Sequence, residues 1–337
     1  MKHYAFCSFG KDSMATVLLA LQHGEPLEGV IHCETMYDNK RGISAEQPEQ
    51  AEWIHNVAIP KLEAMGAKVI LTRSKWDMLS LFHSIRTRGE YKGMKPGYPM
   101  QGKCYVEGYC KLKQIHKLKK ELGEFVEYVG IAADEEPRLR RLKGRKVSLL
   151  AKYGVTEAQA MQICKDAGLL SPTYEYTHRG GCFFCPSATI NEMHHFSEMR
   201  PDLWEEVLAL EHTPNIVGRK MKWPYTNDEL RQKVAEFKVV EEDPEEVWVD
   251  VEGTNGMYRI SSKSRIFSVA RRQIVAQTVT PTGRLSVVFT VGKKQTRRLV
   301  ENVFKQHFPD MEREYHEGDQ LLPSEFVREV EDDPLPL

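Results

Sequence analysis

The 337-residue chain has no apolar run long enough to cross a membrane and almost no net charge, −1 at neutral pH. The first absence reads as a protein without membrane spans. The second excludes a global pull toward nucleic acid, so any basic surface has to be local. No secretory leader is legible, because a strand-like run starts within the first residues; the expectation is a cytoplasmic protein. The Walker A spacing GxxxxGKS/T is missing. Cysteine is sparse and odd in number, seven in all, with none after Cys185. Without a leader these read as thiols or metal ligands, not a disulfide framework. What the chain does have is 41% hydrophobic residues, enough for a substantial core, and 28% charged residues. Its length suggests two domains, or one with an appendage.

The chain is organised around its first stretch. Tyr4-Ala5-Phe6-Cys7 is a short apolar run, Ser8 to Ser13 is a polar turn, and a helix-like MATVLLALQ follows. A strand, a tight turn and a helix N-terminus together favour anions. Gly10 lets backbone approach a phosphate, Ser8 and Ser13 add hydroxyls, and Lys11 adds a cation. An ordinary strand-to-helix turn has the same geometry. The residues Ser8-Phe9-Gly10-Lys11-Asp12-Ser13 resemble the SGGKDS signature of the PP-loop family, with Phe9 in place of the first glycine. The resemblance implies a loop that holds the phosphates of an adenine nucleotide, usually ATP cleaved to AMP and pyrophosphate. In it Lys11 would neutralise phosphate, and Asp12 would hold Mg2+ or fix the loop.

Further on, strand-like runs at 27–33, 67–72 and 126–131 alternate with helical spacing at 48–65, 76–85 and 109–122. Such alternation predicts an α/β fold, a doubly wound parallel sheet covered on both faces. Residues 34–39, after the second strand, are candidates to line a nucleotide pocket. The Gly-, Lys- and Tyr-rich stretch 86–102 is long for a connection and reads as a lid or binding loop. Helical spacing returns at 156–168 and 191–211. The segment from Gly130 to Arg138 resembles the G-(I/V)-R-x-D-E-x-x-R run of phosphoadenosine phosphosulfate reductases and their relatives, with Ala132 where the first arginine stands. The resemblance implies nucleotide contacts from Asp134, Glu135, Arg138 and Arg141; a solvated basic turn is the alternative.

Cys182 and Cys185 form a CxxC, and Cys104 and Cys110 form a second pair. Four thiolates in two separated pairs suit a tetrahedral Zn2+ or an iron–sulfur cluster of the four-iron, four-sulfur type. Both segments resemble cysteine segments of the reductase relatives, although the adjacent Cys-Cys of those relatives is missing. Cys7, Cys33 and Cys164 lie in strand or helix patterns and read as buried small residues.

Past a charged linker at 236–246 the character changes to short β-strands and turns, with a helix expected over 295–307. Trp248, Gly253, Gly256, Tyr258, Ile260, Ser261, Arg265, Ile266 and Ser268 resemble a small module attached to phage and intron homing nucleases, with Ser264 in place of a glycine. That resemblance implies contact with DNA. Arg265, Arg271, Arg272, Lys293, Lys294, Arg297 and Arg298 are the candidate contacts, a local basic patch in a neutral chain. No HNH cluster follows, so no cutting is expected. The domains expected are 1–235 for nucleotide and cysteines, 246–310 for the small basic α+β module, and 311–337 as an acidic tail. The leading functional reading is an ATP pyrophosphatase that adenylates an acceptor in sulfur or nucleic-acid modification. A sulfonucleotide reductase and a nucleotide-sensing DNA-binding protein are the alternatives. The reductase needs a mobile C-terminal cysteine, which is absent.

Overall fold

The structure is a computed structural model that describes residues 1–102, 104–177, 179–237, 239–240, 243, 245–269, 273–292, 294–312 and 326–327. Arg271, Arg272, Lys293 and nearly all of the expected acidic tail lie outside the described residues. Two compact units emerge. The first comprises Met1–Tyr174, Arg179–Ala188 and His195–Leu230; the remainder clusters as the second. No helix among the described residues is long and apolar enough to cross a membrane.

The first unit is mixed α/β around five parallel strands. These are β1 (Lys2–Phe6), β2 (Gly29–Glu34), β3 (Val69–Arg73), β4 (Phe125–Tyr128) and β5 (Lys146–Val147), in the spatial order β3-β2-β1-β4-β5. Every residue of β2 is buried. This is why GVIHCE reads as a continuous run with no alternation: a strand covered on both faces has no solvent side. Helix α1 (Lys11–Gln22) follows β1 and buries Met14, Val17, Leu18 and Leu19 in the main core. Each such side chain contributes about 1.5–3 kcal/mol. The chain order leaves β1 and then returns to its other side with β4, so the strand order reverses beside β1. In open α/β sheets ligands sit at that reversal, beyond the carboxyl ends of the strands.

Helix α2 (Lys113–Leu122) precedes β4 and is entered through a π-helical turn, Glu107–Leu112. The expected helix 48–65 is likewise three pieces, Pro48–Trp53, a π turn Ile54–Ala58, and Ile59–Ala64. Helix α3 (Glu157–Asp166) begins at a capping box, with Thr156 accepting from the Gln159 amide. The stretch 86–102 holds a short strand, Lys95–Gly97, paired in parallel with Ile216–Gly218. The expected helix 191–211 divides into Ile190–Met199 and Pro201–Ala209, because Arg200 precedes a proline and leaves the helical region.

In the second unit two small antiparallel sheets form. One orders β6 (Trp248–Asp250), β7 (Tyr258–Ser261), β8 (Ile266–Ser268) and β9 (Gln273–Ile274). The other orders β10 (Thr278–Val279), β11 (Leu285–Val291) and β12 (Lys294–Leu299). Helix α4 (Val300–His307) packs Val300, Val303 and Phe304 into the core formed with Ile260, Val287 and Phe289. The expected helix over 295–307 is corrected here: its first five residues are strand. β12 pairs with β11 from Ser286↔Leu299 to Val291↔Lys294, and that ladder overrides the local helical pattern. Residues 326–327 pair in parallel with 239–240.

Candidate functional site

The loop of residues 8–13 sits at the end of β1, where the strand order reverses. It is held by its own polar groups. The Ser13 hydroxyl donates to the Gly10 carbonyl at 2.9 Å and accepts from the Ser8 amide at 3.2 Å. Gly10 caps α1 in an extended conformation with no side-chain bond to the helix amides. The Lys11 amide donates to the Tyr174 hydroxyl at 2.9 Å. Behind the loop lies Gly130, just past β4. A Cβ there would stand 2.7 Å from the Ser13 nitrogen and 2.8 Å from the Asp12 carbonyl carbon. The backbone following β4 therefore presses directly on the first turn of α1.

Phe9, in place of the glycine of the resembling signature, takes φ 58°. The position still demands the left-handed region, which costs a side chain about 1–2 kcal/mol. Burial offsets that cost. Phe9 is 1% exposed, and its ring meets His32 edge-on at 4.8 Å.

Lys11 Nζ lies 2.8 Å from Asp12 and 3.7 Å from Glu157. Burial raises the Glu157 carboxyl, and the charges of Asp12, Glu135 and Asp134 push it the same way against the pull of Lys11. Asp134 and Glu135 thus share the surroundings of the loop, and Asp134 accepts from the Glu157 amide at 3.1 Å. Arg138 is exposed and donates to Glu135 at 2.6 Å; Arg141 is exposed as well. Ala132, where the resembling segment has arginine, is fully buried, and its amide donates to Glu135. Sequence reading assigned no role to Tyr174 or Glu157. Neither stands in a motif, and only the fold brings them to Lys11.

At the ends of β2 and β3 a cavity of about 480 Å3 opens, lined among others by Glu34, Glu46, His55, Arg73, Phe183 and Arg200. Glu34 is 4% exposed; Arg73 Nε donates to it at 2.7 Å, and His55 lies 3.3 Å away. Burial alone would raise its carboxyl, but His55 and Arg73 outweigh burial and hold it below its usual value. Of the expected pocket residues 34–39, Glu34 lines this cavity. Most of its other lining residues fall within 42–56, of which 48–56 belong to the expected helix 48–65, and Arg73, Phe183, Arg200 and Leu203 complete it.

All four cysteines of the expected metal set lie in the first unit, near this end of the sheet. Cys182 pairs through its backbone with Glu46, which lines the cavity. Cys104 interacts electrostatically with Cys110, Cys182 and Cys185. Burial pushes the Cys110 thiol up to about 12 and the Cys182 thiol well above its ordinary value. Four soft thiols in two pairs are the right chemistry for Zn2+ or an iron–sulfur cluster. Among the described residues, though, no three Cys, His, Asp or Glu side chains are gathered as a closed metal site.

His32, on β2, is 2% exposed. Its Nδ1 donates to the Cys7 carbonyl at 2.9 Å, while Nε2 is buried without a hydrogen-bond partner. Burial lowers its pKa from 6.5 to about 4. The folded protein therefore binds fewer protons than the unfolded chain between these values. This contribution to stability is complete above pH 6.5 and declines as pH falls to 4, by about 3 kcal/mol in all. The melting temperature is expected to drop over that window, and to drop less in His32→Asn. Parallel curves for the two proteins would remove His32 as the cause.

In the second unit the basic candidates separate. Arg265 is inside: its Nε donates to Glu246 at 2.9 Å, and its guanidinium lies 5.7 Å from the Trp248 ring centre. Arg298 donates to the Glu252 carbonyl at 3.0 Å and lies over Phe289. Lys294 and Arg297 are exposed on β12. They sit opposite Val291 and Val288, so the alternation of the strand sends them to different faces.

A family model described as "NUMOD4 motif" matches residues 246–290. No curated protein matches the chain. A solved structure described as "DNA binding and cleavage by the HNH homing endonuclease I-HmuI" is similar at 20% identity and a TM-score of 0.17. The similarity covers 18% of this chain and 36% of that one. The family match, over residues 246–290, supports the homing-nuclease module resemblance over its strand-rich part. Residues 246–290 of this chain match the NUMOD4 motif, a motif associated with homing endonucleases.

Proposed function

We propose that the first unit binds an adenine nucleotide at residues 8–13 and cleaves ATP between its α- and β-phosphates. An acceptor takes the adenylyl group, and pyrophosphate leaves. The observation that carries the reading is the position of the loop: Gly-Lys-Asp-Ser at the strand-order reversal, with Gly130 packed against its backbone. Lys11, Ser8 and Ser13 meet the phosphates that Mg2+ accompanies, and chemistry of this kind is mostly positioning and charge stabilisation. To do so Lys11 exchanges its carboxylate partners for phosphate. The acceptor's reacting end enters the cavity at the ends of β2 and β3, of a size suited to a small-molecule group. Cys104, Cys110, Cys182 and Cys185 would hold the metal or cluster, which supplies a structural or sulfur-handling centre. The second unit, through its NUMOD4 motif, holds DNA.

Labelled ATP with Mg2+ tests this. Pyrophosphate release is expected from the full chain. Lys11→Ala is expected to weaken ATP binding by roughly 10- to 100-fold, the loss of one charge-assisted contact. Unchanged affinity would take the loop out of the nucleotide site.

A further inference from the structure

The charge of the chain is unevenly placed. Residues 84–120 hold ten lysines and arginines against two glutamates, in a protein of net charge −1. Three large aromatic rings stand exposed in or just before this segment: Tyr91, under the Arg86 guanidinium, and the pair Trp76 and Tyr109. Trp76 is 39% exposed and Tyr109 is 42% exposed. Lys75 Nζ lies 5.2 Å from the centre of the Trp76 ring, and Lys113 Nζ lies 3.5 Å from that of Tyr109. One hydroxyl ties the two residues together. Ser74 Oγ accepts from the Trp76 amide at 3.0 Å and donates to the Tyr109 carbonyl at 3.4 Å. From Tyr109 the surface continues along α2 through exposed Lys113, Lys117 and Lys120. At helical rise these are steps of roughly 6 and 4.5 Å on one face.

Packing accounts for the covered part of each residue and leaves about two fifths of Trp76 and of Tyr109 open to a ligand. Magnitudes favour a ligand. A lysine over an exposed ring is worth roughly 2- to 5-fold in an equilibrium. A nucleobase stacked on such a ring is worth roughly 5- to 150-fold. A base therefore displaces the lysine from the ring, and the displaced ammonium is free to meet the adjoining phosphate.

We propose that this face of the first unit binds single-stranded nucleic acid. Unpaired bases stack on Trp76 and Tyr109, and the backbone runs along Lys113, Lys117 and Lys120. A duplex keeps its bases stacked on each other and offers these rings nothing. Cys110 and Lys111 follow Tyr109 directly, so a strand held here lies beside the cysteine-bearing segment. The proposal goes beyond the nucleotide reading and stands without it.

The test is fluorescence anisotropy of the full chain without ATP. The probes are a labelled single-stranded DNA, an RNA of the same sequence, and the DNA duplex. Tyr109→Leu and Trp76→Leu are each expected to weaken binding of at least one single strand by roughly 5- to 150-fold while leaving duplex binding within about twofold. Tyr109→Phe keeps the stacking face and is expected to bind as the parent does, which separates stacking from a folding defect. Changing the three α2 lysines to glutamine is expected to make the single-strand salt dependence shallower by about two. Three results would each overturn the proposal: unaltered single-strand affinity in both leucine variants, equal losses for Tyr109→Phe and Tyr109→Leu, or single-strand and duplex binding lost in proportion.

Discussion

Gly130→Ala is expected to cost the first unit about 2–3 kcal/mol and to abolish measurable nucleotide binding. The added methyl would stand 2.7 Å from the Ser13 nitrogen, 2.8 Å from the Asp12 carbonyl carbon and 2.9 Å from its oxygen. All three are backbone atoms in the first turn of α1, so no side chain can swing away. Relief requires moving either α1 or the end of β4. Moving α1 disturbs Met14, Val17 and Leu18, which are packed into the main core. Overpacking of this kind costs about 1–3 kcal/mol in well-packed interiors. The same movement carries the Gly10–Ser13 backbone away from the position in which we propose that it holds phosphate. Gly123→Ala is the control. Its φ is 74° and its ψ −137°, with nothing near the added carbon, so it bears the backbone strain alone, about 1–3 kcal/mol, and leaves the loop in place. Urea denaturation and ATP titration of both variants decide the matter. A Gly130→Ala protein that binds ATP like the parent would mean that the loop does not contact the nucleotide.

The parallel sheet was legible because β2, buried on both faces, leaves an unbroken apolar run, and shorter apolar runs alternate with helical patterns on either side of it. Two departures from the resembling patterns were also legible, and the structure gives them a meaning. Phe9 and Ser264 each stand where a glycine was expected, and both adopt positive φ, 58° and 62°. The backbone requirement is kept although the residue best suited to it is not. The cavity was mostly illegible. Arg73 follows an expected strand and Arg200 falls inside the expected helix 191–211, with no motif around either, and His55 lay on what read as an ordinary helix. The π turn at Ile54–Ala58 that carries His55 has no composition signal. β12 misled for a related reason: its arginines fit a helix locally, and only the partner strand β11 makes them a strand. Charge patterning told where the basic residues cluster but not which are free. Arg297 is exposed, whereas Arg265 is enclosed by its own fold.

That last contrast sets up the largest effect expected in the second unit. Arg265→Ala is expected to destabilise the β6–β8 sheet by about 3–5 kcal/mol, and any loss of DNA binding follows from unfolding. The Glu246 side chain is 1% exposed and that of Arg265 is 12% exposed. The guanidinium meets both carboxylate oxygens and lies against Trp248. Removing it leaves Glu246 as a buried charge without its main counterion, which is the costly way to break such a pair. Replacing both residues together, Arg265→Met with Glu246→Leu, removes the stranded charge and is expected to recover most of the loss. Arg297→Ala is expected to behave in the opposite sense. Stability stays within about 0.5 kcal/mol, since the side chain is exposed. Duplex DNA binding weakens, and its salt dependence becomes shallower by about one, the signature of a lost phosphate contact. Hydrogen exchange over residues 246–268 reads the first effect, and anisotropy at several salt concentrations reads the second. If Arg265→Ala exchanged like the parent while losing DNA affinity, Arg265 would be the DNA contact that its sequence context predicts, and the ion pair with Glu246 would contribute little to the unit.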